Sequence, residues 1–261
     1  MIPKKIHYCW FGGNPLPEDT LRYIDSWKKH CPDYEIIEWN ESNFDINQYS
    51  YAREAYEHKK YAFVSDVARL YALVQEGGIY LDTDVEMLKP LDAFLEHTAF
   101  TCFEKKEYLA SAIIGGEMGC QYAVDQLASY ERRRFVQPDG SLDMTANVVG
   151  MTQYMVERGL RLDNAKQDFP GLLTVYPLEY FCPKRSEITG YKILPKEAHT
   201  IHYFMGTWQL RSTPEYLRLR KKYKIIPYFI RKKLILAILG ETDNGFFSAM
   251  VRLKKAIFKK R

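Results

Sequence analysis

The chain has 261 residues, 46% of them apolar, which is enough for one large α/β domain with a short appendage. Its five cysteines are odd in number and never spaced as CxxC or as a zinc site, which argues against a disulfide framework and predicts reduced thiols. No window reaches the roughly 18 apolar residues needed to cross a bilayer. The N-terminal MIPKKIHYCW enters a predicted strand rather than a signal peptide, so we expect a cytoplasmic protein.

The net charge of +4 is unevenly distributed along the chain. Residues 211–261 contain 15 basic and 3 acidic residues, so this tail carries +12 and the preceding residues carry −8. We therefore predict a catalytic domain at 1–210 and a basic tail at 211–261, and we expect only the tail to meet an anionic partner.

The first part of the chain alternates predicted strands and helices. Residues 2–9 form a strand pattern followed by a loop at 10–15, and residues 18–30 form an amphipathic helix pattern. A second strand is predicted at 34–39. Strand, helix, strand is the opening of a nucleotide-binding half-sheet, so the predicted class is α/β.

The central segment, residues 61–88, carries the main chemical signal. Its apolar residues recur at helical spacing up to Gly77, which is placed to cap the helix at its C-terminus. After Gly77-Gly78, the run Ile79 to Leu81 predicts a short buried strand. Asp82 and Asp84 therefore follow the carboxyl end of a strand, where open α/β sheets bind ligands.

Two pairs of charged residues in this segment are candidates for a ligand site. Side chains two apart in an extended segment point the same way, so Asp82 and Asp84 suit one hard divalent cation, Mn²⁺ or Mg²⁺, bridged to phosphates. Asp66 and Arg69 share a helix face. An exposed ion pair worth under about 1 kcal/mol is the alternative interpretation of that pair.

The pattern SDxxR, then GG, then YLDTD resembles the core signature of the DxD sugar transferases of glycosyltransferase family 32. The opening IPKKIHYCWFGG and the later IHYFMGTW are similar to the family's first strand and its closing His/Trp segment. The resemblance implies a GT-A fold, a nucleotide-sugar donor, with UDP favoured over GDP by a narrow margin, and transfer that retains the anomeric configuration.

The resemblance also implies roles for individual residues. It implies that Tyr8 or Trp10 lies near the base, although Trp10 is otherwise interpreted as a core residue. It implies that Asp84 ligates the metal directly, that Asp82 does so through water or contacts the ribose, and that Thr83 lies beside them. It implies that His202 is a third metal ligand and that Trp208 contacts the diphosphate. It implies that Asp66 and Arg69 contact hydroxyls of the transferred sugar. It also implies that Glu104 or Asn147 stabilises an oxocarbenium-like ion pair. The alternatives for His202 and Trp208 are a hydrogen-bonded histidine and a packed tryptophan.

The rest of the domain is predicted from shorter patterns. Strands are expected at 99–103, 109–116, 173–176, 188–194 and 199–204, and helices at 119–130 and 143–158. Gly115-Gly116 is predicted to leave room for a substrate. The run Arg132-Arg133-Arg134 is interpreted as a solvated loop rather than a phosphate site. Thr145-Ala146-Asn147 stands where family members have Thr-Gly-Pro, a departure at the sugar pocket.

The tail contains two amphipathic helix patterns, at 227–239 and 245–260. In the second, Phe246, Met250, Leu253 and Ile257 share one face, with basic residues opposite. This pattern predicts a helix in the headgroup layer of an anionic membrane. The alternative is a helical pair packed on the body or on a second subunit of a homodimer.

Taken together with the resemblance, these patterns imply a metal-dependent, retaining hexosyltransferase at the inner face of the cell membrane. The expected acceptor is a lipid-linked oligosaccharide or another glycan in the synthesis of a surface polysaccharide, capsular or lipopolysaccharide. One alternative is a phosphatase of the haloacid dehalogenase type, which matches Asp82 to Val85 but needs a later acidic cluster that does not follow. The other is a basic-tailed adaptor that binds membrane or nucleic acid. Such an adaptor would not need the DxD motif that this chain contains, so we do not expect nucleic acid as a partner.

Overall fold

A computed structural model describes residues 1–105, 107–183 and 194–205, together with residues 218, 219, 221 and 222. The chain divides into two compact units, Met1–Phe204 and Met205–Arg261, and the elements below belong to the first. Trp208, the tail helices predicted at 227–239 and 245–260, and all but the last residue of the strand predicted at 188–194 lie outside the described residues. No described helix is long and apolar enough to cross a membrane.

The first unit alternates strands and helices, as predicted. Its helices are α1 (Glu18–His30), α2 (Ser50–Glu57), α3 (Tyr61–Glu76), α4 (Gln121–Ala128), α5 (Asn147–Val156) and α6 (Leu178–Phe181). Its strands are β1 (Lys5–Cys9), β2 (Glu35–Trp39), β3 (Gly78–Leu81), β4 (Val85–Met87), β5 (Ala99–Lys105), β6 (Tyr108–Leu109), β7 (Ile113–Gly116), β8 (Gln167–Phe169), β9 (Leu173–Tyr176) and β10 (Thr200–His202). The expected strand at 109–116 is two strands, because the chain turns between β6 and β7.

The central sheet has the order β2-β1-β3-β7-β5-β9-β8, with β6 paired to β5. Within this order β2, β1, β3, β5 and β9 run in one direction, and β7 and β8 run against them. The short strands β4 and β10 form a separate antiparallel pair. The predicted α/β class, with a mostly parallel sheet, is therefore confirmed.

Alternating side chains of β3 enter the two halves of the core. Tyr80 packs in the cluster that contains the apolar face of α3, whereas Ile79 and Leu81 pack in the cluster that contains Trp27 of α1. Because side chains alternate across a strand, β3 is covered on both faces. The site residues that follow β3 thus extend from the centre of the sheet.

Two glycines join α3 directly to β3. Gly77 and Gly78 have φ values of +62° and +107°, which favour glycine, and the Gly77 N–H donates to the Leu73 carbonyl to cap the helix. A Cβ on Gly77 would lie 2.5 Å from the backbone nitrogen of Met118, and one on Gly78 would lie 2.8 Å from His7 Nε2. The turn therefore fixes the end of α3 tightly against the start of β3.

A second glycine pair differs from its predicted role. A Cβ on Gly115 would lie 2.1 Å from Phe100 Cε1, and one on Gly116 would lie 2.6 Å from Cys120 Sγ. Core side chains of the neighbouring strand and of the start of α4 occupy this space. Gly115 and Gly116 therefore allow close packing in the core, and the expectation that they leave room for a substrate is wrong.

The arginine run after α4 is solvated as predicted at Arg132 and Arg134, which are exposed, but Arg133 is half-buried and held by neighbouring side chains. The Arg133 guanidinium lies 4.8 Å from the ring centroids of both Tyr51 and Tyr130, and it pairs with Asp143 at 2.7 Å. Arg134 pairs with the buried carboxylate of Glu54. The same carboxylate accepts hydrogen bonds from the backbone N–H groups of residues 135 and 136, at 2.9 and 3.0 Å. These contacts fasten the loop to α2.

Candidate active site

The two aspartates of the DxD motif occupy a tight turn at the carboxyl end of β3. The Val85 N–H donates to the Asp82 carbonyl at 3.0 Å, and the Asp82 N–H donates to the Ala112 carbonyl at 2.9 Å. The segment is therefore not extended, contrary to prediction. The side chains of Asp82 and Asp84 remain 26% and 15% exposed, so both carboxylates are accessible at the predicted edge of the sheet.

The β4–β10 strand pair brings His202 to this turn. His202 pairs with Val85 in the strand register, and the Tyr203 N–H donates to the Asp84 carbonyl at 3.0 Å. His202 Nε2 then lies 3.2 Å from Asp84 Oδ1. One donor atom from each of Asp82, Asp84 and His202 falls within 4.8 Å of the others, so the three predicted ligands converge.

The chemistry of these donors fits a divalent cation. Carboxylate oxygens are the ligands that Mg²⁺ and Mn²⁺ prefer. His202 Nδ1 is buried and makes no hydrogen bond of normal geometry within the described part of the chain. Burial opposes protonation of His202, but the neighbouring Asp84 and Cys182 outweigh it and raise its pKa well above the ordinary value. A bound cation would displace this proton, because only the neutral imidazole has a lone pair for a metal.

Arg69 joins Asp66 to Asp82 in a largely buried ion pair. An Arg69 nitrogen lies 3.0 Å from Asp66 Oδ1, and another lies 3.4 Å from Asp82 Oδ1. The side chains of Arg69 and Asp66 are only 6% and 11% exposed. The alternative interpretation of this pair as an exposed ion pair is therefore wrong.

The remaining contacts of Arg69 hold its guanidinium in one orientation. It donates to the carbonyl oxygens of Ser65 and Ser111, at 3.1 and 2.8 Å. It also lies 4.6 Å from the centroid of the Tyr80 ring, whose hydroxyl donates to Asp82 Oδ1 at 2.9 Å. Sequence reasoning missed Tyr80, although its position two residues before Asp82 suggests that both side chains point to the same side.

Asn147 completes the contacts of Asp66. It is the first residue of α5, and its Nδ2 donates to Asp66 Oδ1 at 2.8 Å. Burial raises the pKa of Asp66 to about 7, although the Arg69 charge opposes this shift. The structure thus brings Asp66 and Arg69, for which the family resemblance implied contacts to the transferred sugar, together with Asn147, for which it implied stabilisation of the oxocarbenium-like ion pair.

The other predicted site residues occupy different environments. Thr83 is half-buried within the DxD turn, and Glu104 is 9% exposed in β5. Tyr8 is 7% exposed, with its ring edge-on to Trp27 and its hydroxyl donating to Glu38 at 2.7 Å.

Trp10 is the better placed of the two aromatic candidates near the base. Its side chain is half-buried, and its Nε1 donates to the carbonyl of Asn14 at 2.6 Å, which folds the loop after β1. Because the ring of Tyr8 is packed in the core, only Trp10 retains an accessible surface for stacking.

The central segment of the chain is similar to a known protein family. Residues 17–101 match the model of the glycosyltransferase sugar-binding region containing a DXD motif. Over these residues the chain is similar to a DXD-type glycosyltransferase region. The match includes α3, β3 and both aspartates of the turn. The family resemblance is confirmed, whereas the first strand and the His202 segment lie outside the matched residues.

Individual relatives agree with this match over parts of their length. Inositol phosphoceramide mannosyltransferase 3 of Schizosaccharomyces pombe is 28% identical over 138 residues, covering 51% of this chain and 38% of that protein. Subversion of eukaryotic traffic protein A of Legionella pneumophila is 31% identical over 111 residues, covering 32% of this chain and 17% of that protein. The chain therefore spans well under half the length of these curated relatives.

Solved structures of glycosyltransferases also align with the chain. One, a glycosyltransferase involved in the glycosylation of the major capsid of PBCV-1, is 11% identical, with 76% of this chain and 93% of that chain covered and a TM-score of 0.45. The PaToxG glycosyltransferase is 20% identical, with 60% and 69% covered and a TM-score of 0.47.

Proposed function

We propose that the protein is a metal-dependent glycosyltransferase of GT-A type that takes a sugar from a nucleotide-sugar donor, UDP-linked in the first instance, and retains its anomeric configuration. The observation that carries this proposal is the convergence of Asp82, Asp84 and His202 at the end of β3, beside the buried Asp66–Arg69 pair. Mn²⁺ or Mg²⁺ held by these three residues would neutralise charge on the diphosphate leaving group.

We assign residues of the chain to the two halves of the donor. Asp82 and Asp84 are assigned to the diphosphate, and Trp10, in the loop after β1, is assigned to the base. Asp66 and Asn147 form a hydrogen-bonded pair that can accept and donate to hydroxyl groups of the transferred sugar. Arg69, fixed by two backbone carbonyls, keeps the carboxylates of Asp66 and Asp82 apart and compensates both.

In the proposed reaction, the bond between the anomeric carbon and the diphosphate oxygen breaks and its electron pair leaves with the diphosphate. The acceptor oxygen bonds to the same face of the anomeric carbon and gives its proton to the departing diphosphate. An oxocarbenium-like ion pair lies between these events, with Glu104 or Asn147 proposed to stabilise it. A glycosyl-enzyme trapped on Glu104 would refute this front-face course.

Release of nucleoside diphosphate from a panel of nucleotide sugars tests the proposal. We expect one donor to be hydrolysed in the presence of Mn²⁺ or Mg²⁺, with loss of at least about a hundredfold in rate on chelation or in Asp84→Ala. Asp25→Ala is the matched control, because Asp25 is 70% exposed on α1. Turnover that is indifferent to chelator and to Asp84→Ala contradicts the metal role. Absence of both turnover and metal-dependent nucleotide binding contradicts the transferase.

We further propose a lipid-linked acceptor in surface polysaccharide synthesis, reached from the inner face of the membrane. The basic tail at 211–261 supports this, as does the name of the Schizosaccharomyces pombe relatives, inositol phosphoceramide mannosyltransferases. Each basic residue near an anionic surface contributes about 1 kcal/mol. Replacing Lys254, Lys255, Lys259 and Lys260 with Gln in the full chain should reduce sedimentation with phosphatidylserine vesicles; unchanged sedimentation contradicts the membrane role of the tail.

The alternative functions gain no support. A haloacid dehalogenase-type phosphatase needs a second acidic cluster, and the described residues contain no group of three or more acidic, histidine or cysteine ligands besides Asp82, Asp84 and His202. In addition, Oδ1 of Asp82, the would-be nucleophile, is engaged by Arg69 and Tyr80.

A further inference from the structure

A cavity of about 110 Å³ lies between α3, α4 and α5. Polar groups at its wall come from Asp125, Ser129, Arg133 and Asn147, and Gly150 forms part of the α5 side. Among these residues, only Asn147 belongs to the site described above. The cavity is smaller than an engineered apolar cavity of about 150 Å³ that accepts one benzene ring, and its lining residues Ser129 and Gly150 are exposed, so it can receive part of a single sugar ring but not a disaccharide.

The charged groups of this cavity are fixed before any ligand arrives. Arg133 is held between Tyr51 and Tyr130 and pairs with Asp143. Asp125 accepts hydrogen bonds from the hydroxyl of Tyr154 at 2.5 Å and from the amide of Gln121 at 2.7 Å. Groups that are already oriented lose little freedom on binding.

The combination of charges selects the class of ligand. An anion would be repelled by Asp125, and a cation would be repelled by Arg133. A neutral ligand with several hydroxyl groups satisfies both, because each hydroxyl can donate to the carboxylate and accept from the guanidinium. A sugar ring is a ligand of this kind.

Gly150 leaves one wall of the cavity open. It lies in α5 with helical neighbours, and a Cβ built on it would meet nothing within 4 Å. Packing therefore does not require glycine here, although a glycine in a helix interior costs about 1 kcal/mol relative to alanine. Because Gly150 has no side chain, the space beside it remains part of the cavity.

Asn147 connects this cavity to the proposed donor site. Its side chain lines the cavity, and its Nδ2 donates to Asp66 at 2.8 Å. Arg133 also acts on that carboxylate, because its charge lowers the pKa of Asp66 against the larger effect of burial. A ring in the cavity would therefore lie one side chain away from the sugar that Asp66 is proposed to hold.

We propose that this cavity is the acceptor subsite and that it binds one neutral, hydroxyl-bearing sugar ring of the acceptor. The inference rests on the proposed transferase function, since the acceptor is defined by that reaction. It adds Arg133, Asp125 and Gly150 as residues that determine which acceptor binds.

Filling the cavity from Gly150 tests the inference in the full chain. Gly150→Phe places a ring in the cavity, and Val149→Phe adds the same ring at the neighbouring position of α5, which is 43% exposed and does not line the cavity. Gly150→Ala reports on folding, because it should keep or raise the thermal stability. Methyl glycosides of glucose, galactose, mannose and N-acetylglucosamine serve as probes, and their binding is measured by saturation-transfer NMR without donor.

We expect at least one glycoside to bind wild type and Val149→Phe, and its affinity to fall about tenfold or more in Gly150→Phe. Hydrolysis of the donor by water is measured in the same variants, and Val149→Phe should stay within about twofold of wild type. Equal glycoside binding by Gly150→Phe, or no binding of any glycoside by wild type, overturns the acceptor subsite. Loss of donor hydrolysis in Gly150→Phe alone also overturns it, by assigning the cavity to the donor. The transferase proposal is tested by a separate measurement, since it fails if wild type does not hydrolyse any donor.

Discussion

Replacing Arg69 with Met tests whether the DxxR pair of α3 stabilises the fold as a buried ion pair. The change removes the cation that faces Asp66 at 3.0 Å and Asp82 at 3.4 Å, and it also removes hydrogen bonds to two backbone carbonyls. Removing one partner of a buried ion pair costs about 3 to 5 kcal/mol, because the other charge stays buried without compensation. We therefore expect the free energy of unfolding to fall by about that amount at pH 8.

The chain supplies a matched control with the same spacing. Asp19 and Arg22 on α1 are also three residues apart and pair at 3.0 Å, but their side chains are 54% and 69% exposed. Arg22→Met should cost less than about 1 kcal/mol, the usual value for an exposed pair. Both variants are compared by urea denaturation of the full chain in the presence of a chelator.

A double-mutant cycle separates the ion pair from the loss of packing. Asp66→Asn combined with Arg69→Met should cost less than the sum of the two single changes, with a coupling of about 1 to 3 kcal/mol. If Arg69→Met destabilises the protein no more than Arg22→Met does, the reasoning from burial is refuted.

Three further outcomes follow from the structure. Because burial raises the pKa of Asp66 from 3.8 to about 7, its contribution to stability is full below pH 3.8 and is lost as the pH rises through 7. Relative to Asp66→Asn, metal-free wild type should lose at most about 4 kcal/mol over that range, and a flat difference would contradict the shift. Gly115→Ala should lower the free energy of unfolding by about 1 to 3 kcal/mol, because its Cβ overlaps Phe100, and an unchanged melting temperature would show that Phe100 can move at no cost. Burial raises the pKa of Glu54, but bonds to Arg134 and to two backbone N–H groups outweigh burial and lower it, so the contribution of Glu54 to stability is present above pH 4.5 and lost on acidification. Glu54→Gln should reduce the free energy of unfolding at pH 7 by about 1 to 3 kcal/mol in urea denaturation and should flatten this acid dependence. An acid sensitivity equal to that of wild type would refute the prediction.

The central part of the site could be predicted because its signals are local. The spacing of apolar residues in α3, the two glycines after it and the short strand β3 each follow from interactions within a few residues. The placement of Asp82 and Asp84 at the end of a buried strand then follows from the rule for ligand sites in α/β sheets. The turn that contains them was not predicted, because it depends on contacts with residue 112 and with β10.

The burial of charged side chains could not be predicted from the sequence. The pairs Asp19–Arg22 and Asp66–Arg69 have the same spacing, yet one is exposed and the other is buried. The difference arises from elements that pack over α3, which come from distant parts of the chain. The same limit explains the arginine run, since its partners Tyr51 and Glu54 belong to α2, and the glycine pair in β7, since Phe100 belongs to β5.

The positions of the site residues in the sequence determine the order in which their contacts can form. Asp66, Arg69, Tyr80 and Asp82 all belong to α3, the glycine turn and β3, so this segment carries its own counter-charge when it leaves the ribosome. The contact between Asp84 and His202 forms only when β10 pairs with β4. A nascent chain that ends before residue 202 therefore contains the Asp66–Arg69–Asp82 contacts but lacks the contact between Asp84 and His202.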